Sequence, residues 1–402
     1  MPRYARLVNR IANEGSAAWE LLFRAWKDQK AGEDVIVLAI GDPEFNSPEP
    51  VIAAAKQALD DGLTHYSSIP GTMELREAIA ARTMRVSGAS AADYSITADN
   101  VVVTQGTQGA LFTASLCLLE EGDEVLALEP MYLTYEATFA LNGAKVVRVA
   151  CPRETGFRPR PDLIEKAITP RTRAIVYSSP NNPTGAVFTR DELRAIADIA
   201  IRHDLWVIAD EVYASQVYAG EHFSIAALPG MAERTVTCGS LSKSHAMTGW
   251  RVGWVTGPAQ FINHAHHAGI AMHYGIPTFV QKAALTAINQ CEAEAEAITE
   301  TFRRRCNIVL DRLAATPGLA VIAPQGAMYV LVDVTGTGRS SAEFATELYD
   351  AEKVAALDAM PFGASADGCI RIACTLADEV LAEACNRIHR FAAMRHNTRK
   401  AS

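Results

Sequence analysis

The segment Ser240-Leu241-Ser242-Lys243-Ser244-His245-Ala246-Met247-Thr248-Gly249-Trp250-Arg251 sets one lysine among small hydroxyl residues, eight positions ahead of an arginine. That composition suits a buried amine beside an anion. Desolvation and a neighbouring cation both lower an ammonium pKa, which Schiff-base chemistry needs. Read alone, Lys243 fits an exposed turn better. Three further segments change the balance. Ala209-Asp210-Glu211-Val212-Tyr213 puts a carboxylate at the end of an apolar run, where burial is costly unless a cation meets it. Ser179-Pro180-Asn181-Asn182-Pro183-Thr184-Gly185 fixes amide side chains in proline-stiffened turns. Gly106-Thr107-Gln108-Gly109 ends a third run and opens a helix, so its free N–H groups can hold a phosphate. Each has an ordinary reading as a turn or cap. Four at successive strand ends make coincidence a poor account.

The elements that must position these residues are short β-rich runs: Val101 to Thr104, Glu124 to Leu128, Lys145 to Val149, Ala174 to Ser178, Trp206 to Asp210 and Thr235 to Gly239. Helix-period segments such as Gly109 to Leu119 and Arg190 to Arg202 lie between them. This alternation predicts an α/β fold with a mainly parallel sheet covered on both faces, and ligands gather at the carboxyl ends of such strands. From Glu292 the pattern changes to a long helix through Leu313, two runs (Leu319 to Ile322, Met328 to Asp333) and a last helix from Asp378, a smaller α+β unit. Trp19, Leu22 and Trp26 recur at helical spacing and predict a docked N-terminal helix.

Composition narrows the class. With 402 residues, 49% of them hydrophobic, the chain can bury a large core and is neither disordered nor of low complexity. A net charge of −9 argues against a nucleic-acid partner, so any anion site must be local. No apolar run approaches the roughly 20 residues of a membrane helix, and the start lacks a secretory core, which points to a cytoplasmic protein with no membrane partner. Arg3, Arg6 and Arg10 read as the basic face of an N-terminal arm. The eight cysteines form no C-x-x-C pair, and His264, His266, His267 and His273 lack companion ligands, so no metal site is expected.

Taken together, these segments resemble the pyridoxal-phosphate-dependent class I/II aminotransferases of fold type I. The resemblance runs from Gly41-Asp42-Pro43 to Arg371, and the Ser-Leu-Ser-Lys segment with its trailing Gly-Trp-Arg is its most specific part. It implies a large domain with a mainly parallel seven-stranded sheet plus a smaller α+β domain. The arm and part of the small domain would take residues 1–45, the cofactor domain 46–291 and the rest of the small domain 292–402. It further implies that Lys243 binds pyridoxal 5′-phosphate covalently and that Asp210 pairs with the pyridine nitrogen. Asn182 and Tyr213 would bond the phenolic oxygen, and Tyr132 would stack on the ring. Gly106, Thr107, Gln108, Ser240 and Arg251 would form the phosphate cup, while Arg371, with Gly41 opposite, would grip the substrate α-carboxylate. Tyr66 would reach a neighbouring subunit's phosphate, making the active unit a homodimer.

The implied reaction is ping-pong transamination between an amino acid and a 2-oxo acid. Ser242 to Trp250, Leu205-Trp206, Glu129-Pro130-Met131-Tyr132 and Ala17-Ala18-Trp19 look closest to arginine:pyruvate transaminases, with Trp19 as a lid over the substrate. An arginine donor calls for an acidic or strongly polar pocket wall that the sequence does not single out. Aspartate, alanine or aromatic donors stay open, as does a C–S β-lyase on the same fold. A dinucleotide enzyme is excluded because Gly106-Thr107-Gln108-Gly109 lacks the G-x-G-x-x-G spacing. A cofactor-sensing regulator is not expected, since the resemblance uses up the chain and no basic DNA-binding segment stands out in it. Cys374, near Arg371, reads as an apolar filler.

Overall fold

Short runs, most of them rich in Val, Ile, Leu and Ala, form the strands that organise the chain. The computed structural model describes residues 2–5, 7–11 and 19–401; Arg6, Ala17 and Ala18 lie outside the described residues. In chain order the strands are β1 (Ile36–Val37), β2 (Val101–Thr104), β3 (Glu124–Glu129), β4 (Lys145–Ala150), β5 (Thr172–Ser178), β6 (Trp206–Asp210), β7 (Thr235–Ser240), β8 (Gly253–Thr256), β9 (Ala320–Ile322), β10 (Tyr329–Asp333), β11 (Val354–Ala355), β12 (Leu357–Asp358) and β13 (Cys369–Ala373). Among the helices are α1 (Glu20–Lys30), α2 (Gly106–Leu118), α3 (Arg190–Arg202), α4 (Glu292–Leu313) and α5 (Asp378–Ala401).

The large sheet has seven strands in the order β2-β8-β7-β6-β5-β3-β4. The β3–β4, β3–β5, β5–β6 and β6–β7 pairs are parallel. Strand β8 runs antiparallel to both β7 and β2, so β2 points the same way as the parallel strands. The carboxyl ends of β2, β3, β5, β6 and β7 therefore share one edge of the sheet. The six runs read from sequence are all strands; the seventh, β8, was not among them, because the Gly-Trp-Val-Thr tetrapeptide is too short to show a period. Its Gly253 is required by packing: a Cβ there would sit 2.6 Å from the Gly106 carbonyl carbon and 2.7 Å from the Gly239 oxygen.

Helices cover this sheet through apolar faces. In α3 the buried residues Leu193, Ile196, Ala197, Ile199 and Ala200 recur at helical spacing, and Thr189 with Glu192 closes a reciprocal capping box at its start. Removing such a cap costs about 1 kcal/mol. In α1, Leu22 and Ala25 are buried, but Trp26 is 42% exposed, a departure from the predicted docking face. Trp26 lies one residue past the buried Ala25, about 100° further round the helix, which turns its ring outward.

A second sheet, in the order β12-β13-β10-β9, is wholly antiparallel. Helices α4 and α5 cover it, and their inner faces join Val330, Val332, Ile370 and Ile372 in a separate apolar core. Cys306, Cys374 and Cys385 are buried in that core as small apolar residues, and all eight cysteines are unpaired. Strand β1 pairs in parallel with β11, and the Ala373 N–H donates to the Leu38 carbonyl at 2.9 Å. The segment after β1 is thereby laid beside β13, which carries Arg371. Among the described residues no helix is long and apolar enough to cross a membrane, and no group of three or more His, Cys, Asp or Glu could hold a metal ion.

Candidate active site

The shared strand edge opens into a cavity of about 440 Å³. Of the residues singled out in the sequence, Trp19, Gly41, Thr107, Gln108, Tyr132, Asn182, Asp210, Tyr213, Ser240, Lys243, Arg251 and Arg371 all line it. Gly106 sits just behind it, with φ +70° and no room for a Cβ, which would meet Arg251 Nη2 at 2.5 Å. Tyr66 is not brought in: its ring is 84% exposed and packs edge-on against Tyr274 at 5.0 Å, outside the cavity.

Each side chain is aimed by its element. Asp210 ends β6, where the pleat turns its carboxylate inward and the Tyr135 hydroxyl donates to it at 2.8 Å. The Val212 N–H adds a longer bond at 3.3 Å. With no cation facing it, burial pushes the Asp210 carboxyl up to about 6, against these two bonds. Lys243 follows the end of β7, and its Nζ donates to the Gly41 carbonyl at 2.5 Å. Burial lowers its pKa to about 8; the nearby Asp42 charge opposes the shift, and Arg371 and Arg251 add to it.

Arg371, in the middle of β13, reaches across from the small sheet. Its Nη1 donates to Asn182 Oδ1 at 3.0 Å and its Nη2 to the Ala39 carbonyl at 2.6 Å. The guanidinium carbon lies 4.4 Å from the centre of the Tyr329 ring and 5.1 Å from that of Phe362. It has no carboxylate partner among the described residues, its Nε is buried without a hydrogen bond, and desolvation lowers its pKa. A buried arginine in that condition is built to receive an anion.

The start of α2 supplies a second anion site. Thr107 Oγ1 is buried and unpartnered there, while Arg251 donates to the Thr248 and Gln105 carbonyls at 2.7 and 3.3 Å and leaves its remaining donors free for a ligand. Gln108 is different: its amide is already bonded to Thr138 Oγ1 at 2.7 Å and Thr134 Oγ1 at 2.8 Å. Tyr213 and Tyr329 share a hydroxyl–hydroxyl bond of 2.9 Å. Around one cavity lie a carboxylate lacking a cation, a helix start with an unpaired hydroxyl, and a buried amine. They fit the phosphorylated pyridine implied by the sequence resemblance.

Sequence reasoning missed Tyr135, Tyr329 and Asp42. Tyr135 opens a helix and Tyr329 lies in an apolar strand, so both look like core aromatics. Asp42 appears in the sequence reading only within Gly41-Asp42-Pro43, where the resemblance begins, with no role of its own. His264, His266 and His267 lie on a helix, Ala259–Met272, that His273 follows; His264 and His267 are exposed, His266 stacks on His267, and none of the four lines the cavity.

Comparison with known proteins identifies the family. Residues 33–388 match the family model for aminotransferase class I and II. The chain is 47% identical over 386 residues to the arginine–pyruvate transaminase of Pseudomonas aeruginosa, covering 96% of this chain and 97% of that protein. It is 38% identical to an aromatic-amino-acid aminotransferase of Thermococcus litoralis, covering 89% and 92%. Among solved structures, the aspartate aminotransferase of Thermus thermophilus with maleate superposes with a TM-score of 0.91 at 35% identity, covering 97% of this chain and all of that one. With its sheet order, its cavity at the strand ends and its relatives in agreement, the chain belongs to the class I and II aminotransferases and has their fold type I architecture.

Proposed function

We propose that this aminotransferase binds pyridoxal 5′-phosphate and moves the α-amino group of arginine to pyruvate in two half-reactions at one site. The observation that carries the cofactor reading is the convergence of Lys243, Asp210 and the helix start at Thr107 on one cavity, where the Asp210 carboxylate faces no cation and the Thr107 hydroxyl has no partner. When bound, pyridoxal phosphate supplies an electron sink that lets the donor Cα lose its proton. Asp210, buried and ionised, would hold a proton on the pyridine nitrogen. Thr107, Ser240 and Arg251 would hold the phosphate, Tyr132 the ring face, and Asn182 and Tyr213 the phenolic oxygen. Arg371 presents a planar fork to the α-carboxylate common to donor and acceptor. Lys243 Nζ, unprotonated above about pH 8, takes the Cα proton as a general base and later returns it as an acid.

Arginine is chosen as donor, and pyruvate as acceptor, on the relationship to the Pseudomonas aeruginosa enzyme. The same reading divides the chain at residues 45 and 291 and makes it a homodimer, since the exposed Tyr66 has its assigned work only at a second copy's phosphate. The unpaired cysteines support a reducing compartment, the cytoplasm. The test is to mix holoenzyme with arginine and follow the cofactor absorbance, which should bleach and return on adding pyruvate with formation of alanine. Ammonia and pyruvate released from a sulfur amino acid, with no dependence on an acceptor, would replace transamination by β-elimination. Bleaching by aspartate or an aromatic donor but not arginine would discard the donor and keep the reaction.

A further inference from the structure

Charge accounting around the cavity leaves one group without a role. Its charged lining residues are Asp42, Asp210, Lys243, Arg251 and Arg371. Under the transaminase reading, on which this inference rests, Arg251 meets the phosphate, Arg371 the α-carboxylate, Asp210 the pyridine nitrogen and Lys243 the reacting carbon. What remains is a single carboxylate. Asp42 follows Gly41, whose carbonyl holds Lys243 Nζ, so it stands beside the reacting end of the cavity. It is exposed to solvent at the cavity mouth, and the Thr248 hydroxyl donates to its Oδ1 at 2.7 Å, leaving Oδ2 free. Trp19 lines the same cavity and offers an aromatic face. Gln108, the long polar side chain of the α2 start, is neutral and already bonded at both ends of its amide. An acidic donor side chain would thus meet no unassigned cation of this chain and would face Asp42.

We infer that Asp42 is the donor-selecting residue: its carboxylate receives the cationic end of the donor side chain, a guanidinium or alkylammonium, at the cavity mouth. Contact with a group remote from the reacting carbon persists through the reaction, so its loss raises KM more than it lowers kcat.

The experiment compares Asp42→Asn and Asp42→Glu holoenzymes with wild type, using arginine, alanine and aspartate in single-turnover half-reactions. In Asp42→Asn the arginine-to-alanine ratio of kcat/KM should fall about tenfold, mostly through KM, and Asp42→Glu should keep most of it. A second readout needs no turnover: titration with guanidinovalerate, which has the carboxylate and guanidinium but no α-amine, against valerate. Wild type should bind the guanidino acid about tenfold more tightly, and Asp42→Asn should erase the difference. The inference is overturned if both donors lose activity in parallel with a shifted pH profile, which would mean that Asp42 acts only through Lys243. It is also overturned if wild type prefers aspartate to arginine, or if the two acids bind wild type equally. Wild-type holoenzyme that converts no donor at all would instead defeat the transaminase reading.

Discussion

The floor and the mouth of the cavity are built on opposite principles. On the floor, Asp210 and Arg371 are 4% and 2% exposed, and each is held by at least two hydrogen bonds from different parts of the chain. At the mouth, Asp42 is exposed with one side-chain partner and Trp19 is half-buried, while Tyr66, outside the cavity, stands almost fully in solvent. Buried polar groups are costly to place and costly to leave unpaired, so the floor is over-determined and suits chemistry that every substrate shares. Exposed groups are cheap to change. The difference is the one that a separable reaction and substrate choice would need, with the first held by buried strand residues and the second by exposed loop residues.

The sharpest way to break that comparison is Lys243→Ala, at the junction of floor and mouth. It should lower turnover at least about 10³-fold for every donor while leaving the far-UV circular dichroism unchanged. Turnover at the normal rate would remove the floor from the mechanism. Next is Arg371→Lys, which keeps the charge but loses the fork that Asn182 and Ala39 orient. A fall in kcat/KM of about 10²-fold, equal for donors and acceptors of any side chain, is expected in steady-state assays. A donor-dependent loss would place Arg371 among the selecting residues instead.

Stability offers a test of the floor alone. Burial raises the Asp210 carboxyl from 3.8 to about 6. Folding therefore favours its protonated form, a contribution fully present below 3.8 and lost as the pH rises through 6. Cofactor-free Asp210→Asn should be more stable than cofactor-free wild type at pH 7, by up to about 3 kcal/mol, with the gap closing towards pH 4 in urea unfolding. A gap that does not vary with pH would show that the carboxylate is not desolvated. Lys243 gives a companion measurement: its capture of pyridoxal phosphate should rise with pH through a midpoint near 8, well below an ordinary lysine's 10.5. The smallest effect belongs to the mouth. Trp19→Ala should raise KM for a cationic donor about threefold and leave kcat nearly unchanged.

Much of the floor was legible in the chain because its residues end strands. Asp210, Ser240 and Lys243, and Gly106 with Thr107, each follow an apolar run, and a parallel sheet puts such ends on one edge. Arg371 could not be placed that way. It lies in the middle of β13, in a different sheet, and only the pairing of β1 with β11 and the Ala373–Leu38 bond bring it to Asn182. Tyr135 was illegible for a related reason: a tyrosine opening a helix is ordinary until the Asp210 carboxylate is known to lie 2.8 Å from its hydroxyl. Strand β8 was missed because four residues carry no period, and only its two neighbours identify it.

Local order explains what the sequence determined by itself: the strand and helix pattern, the family, and the lysine, aspartate and glycines whose spacing along the chain carries their chemistry. The tertiary structure alone decided which unmet charges share a cavity. Hydrogen bonding and apolar periodicity act over a few residues, whereas the meeting of Asp42, Lys243 and Arg371 depends on two sheets packing across a long stretch of chain, with Ala39 and Arg371 bonded at 332 positions apart.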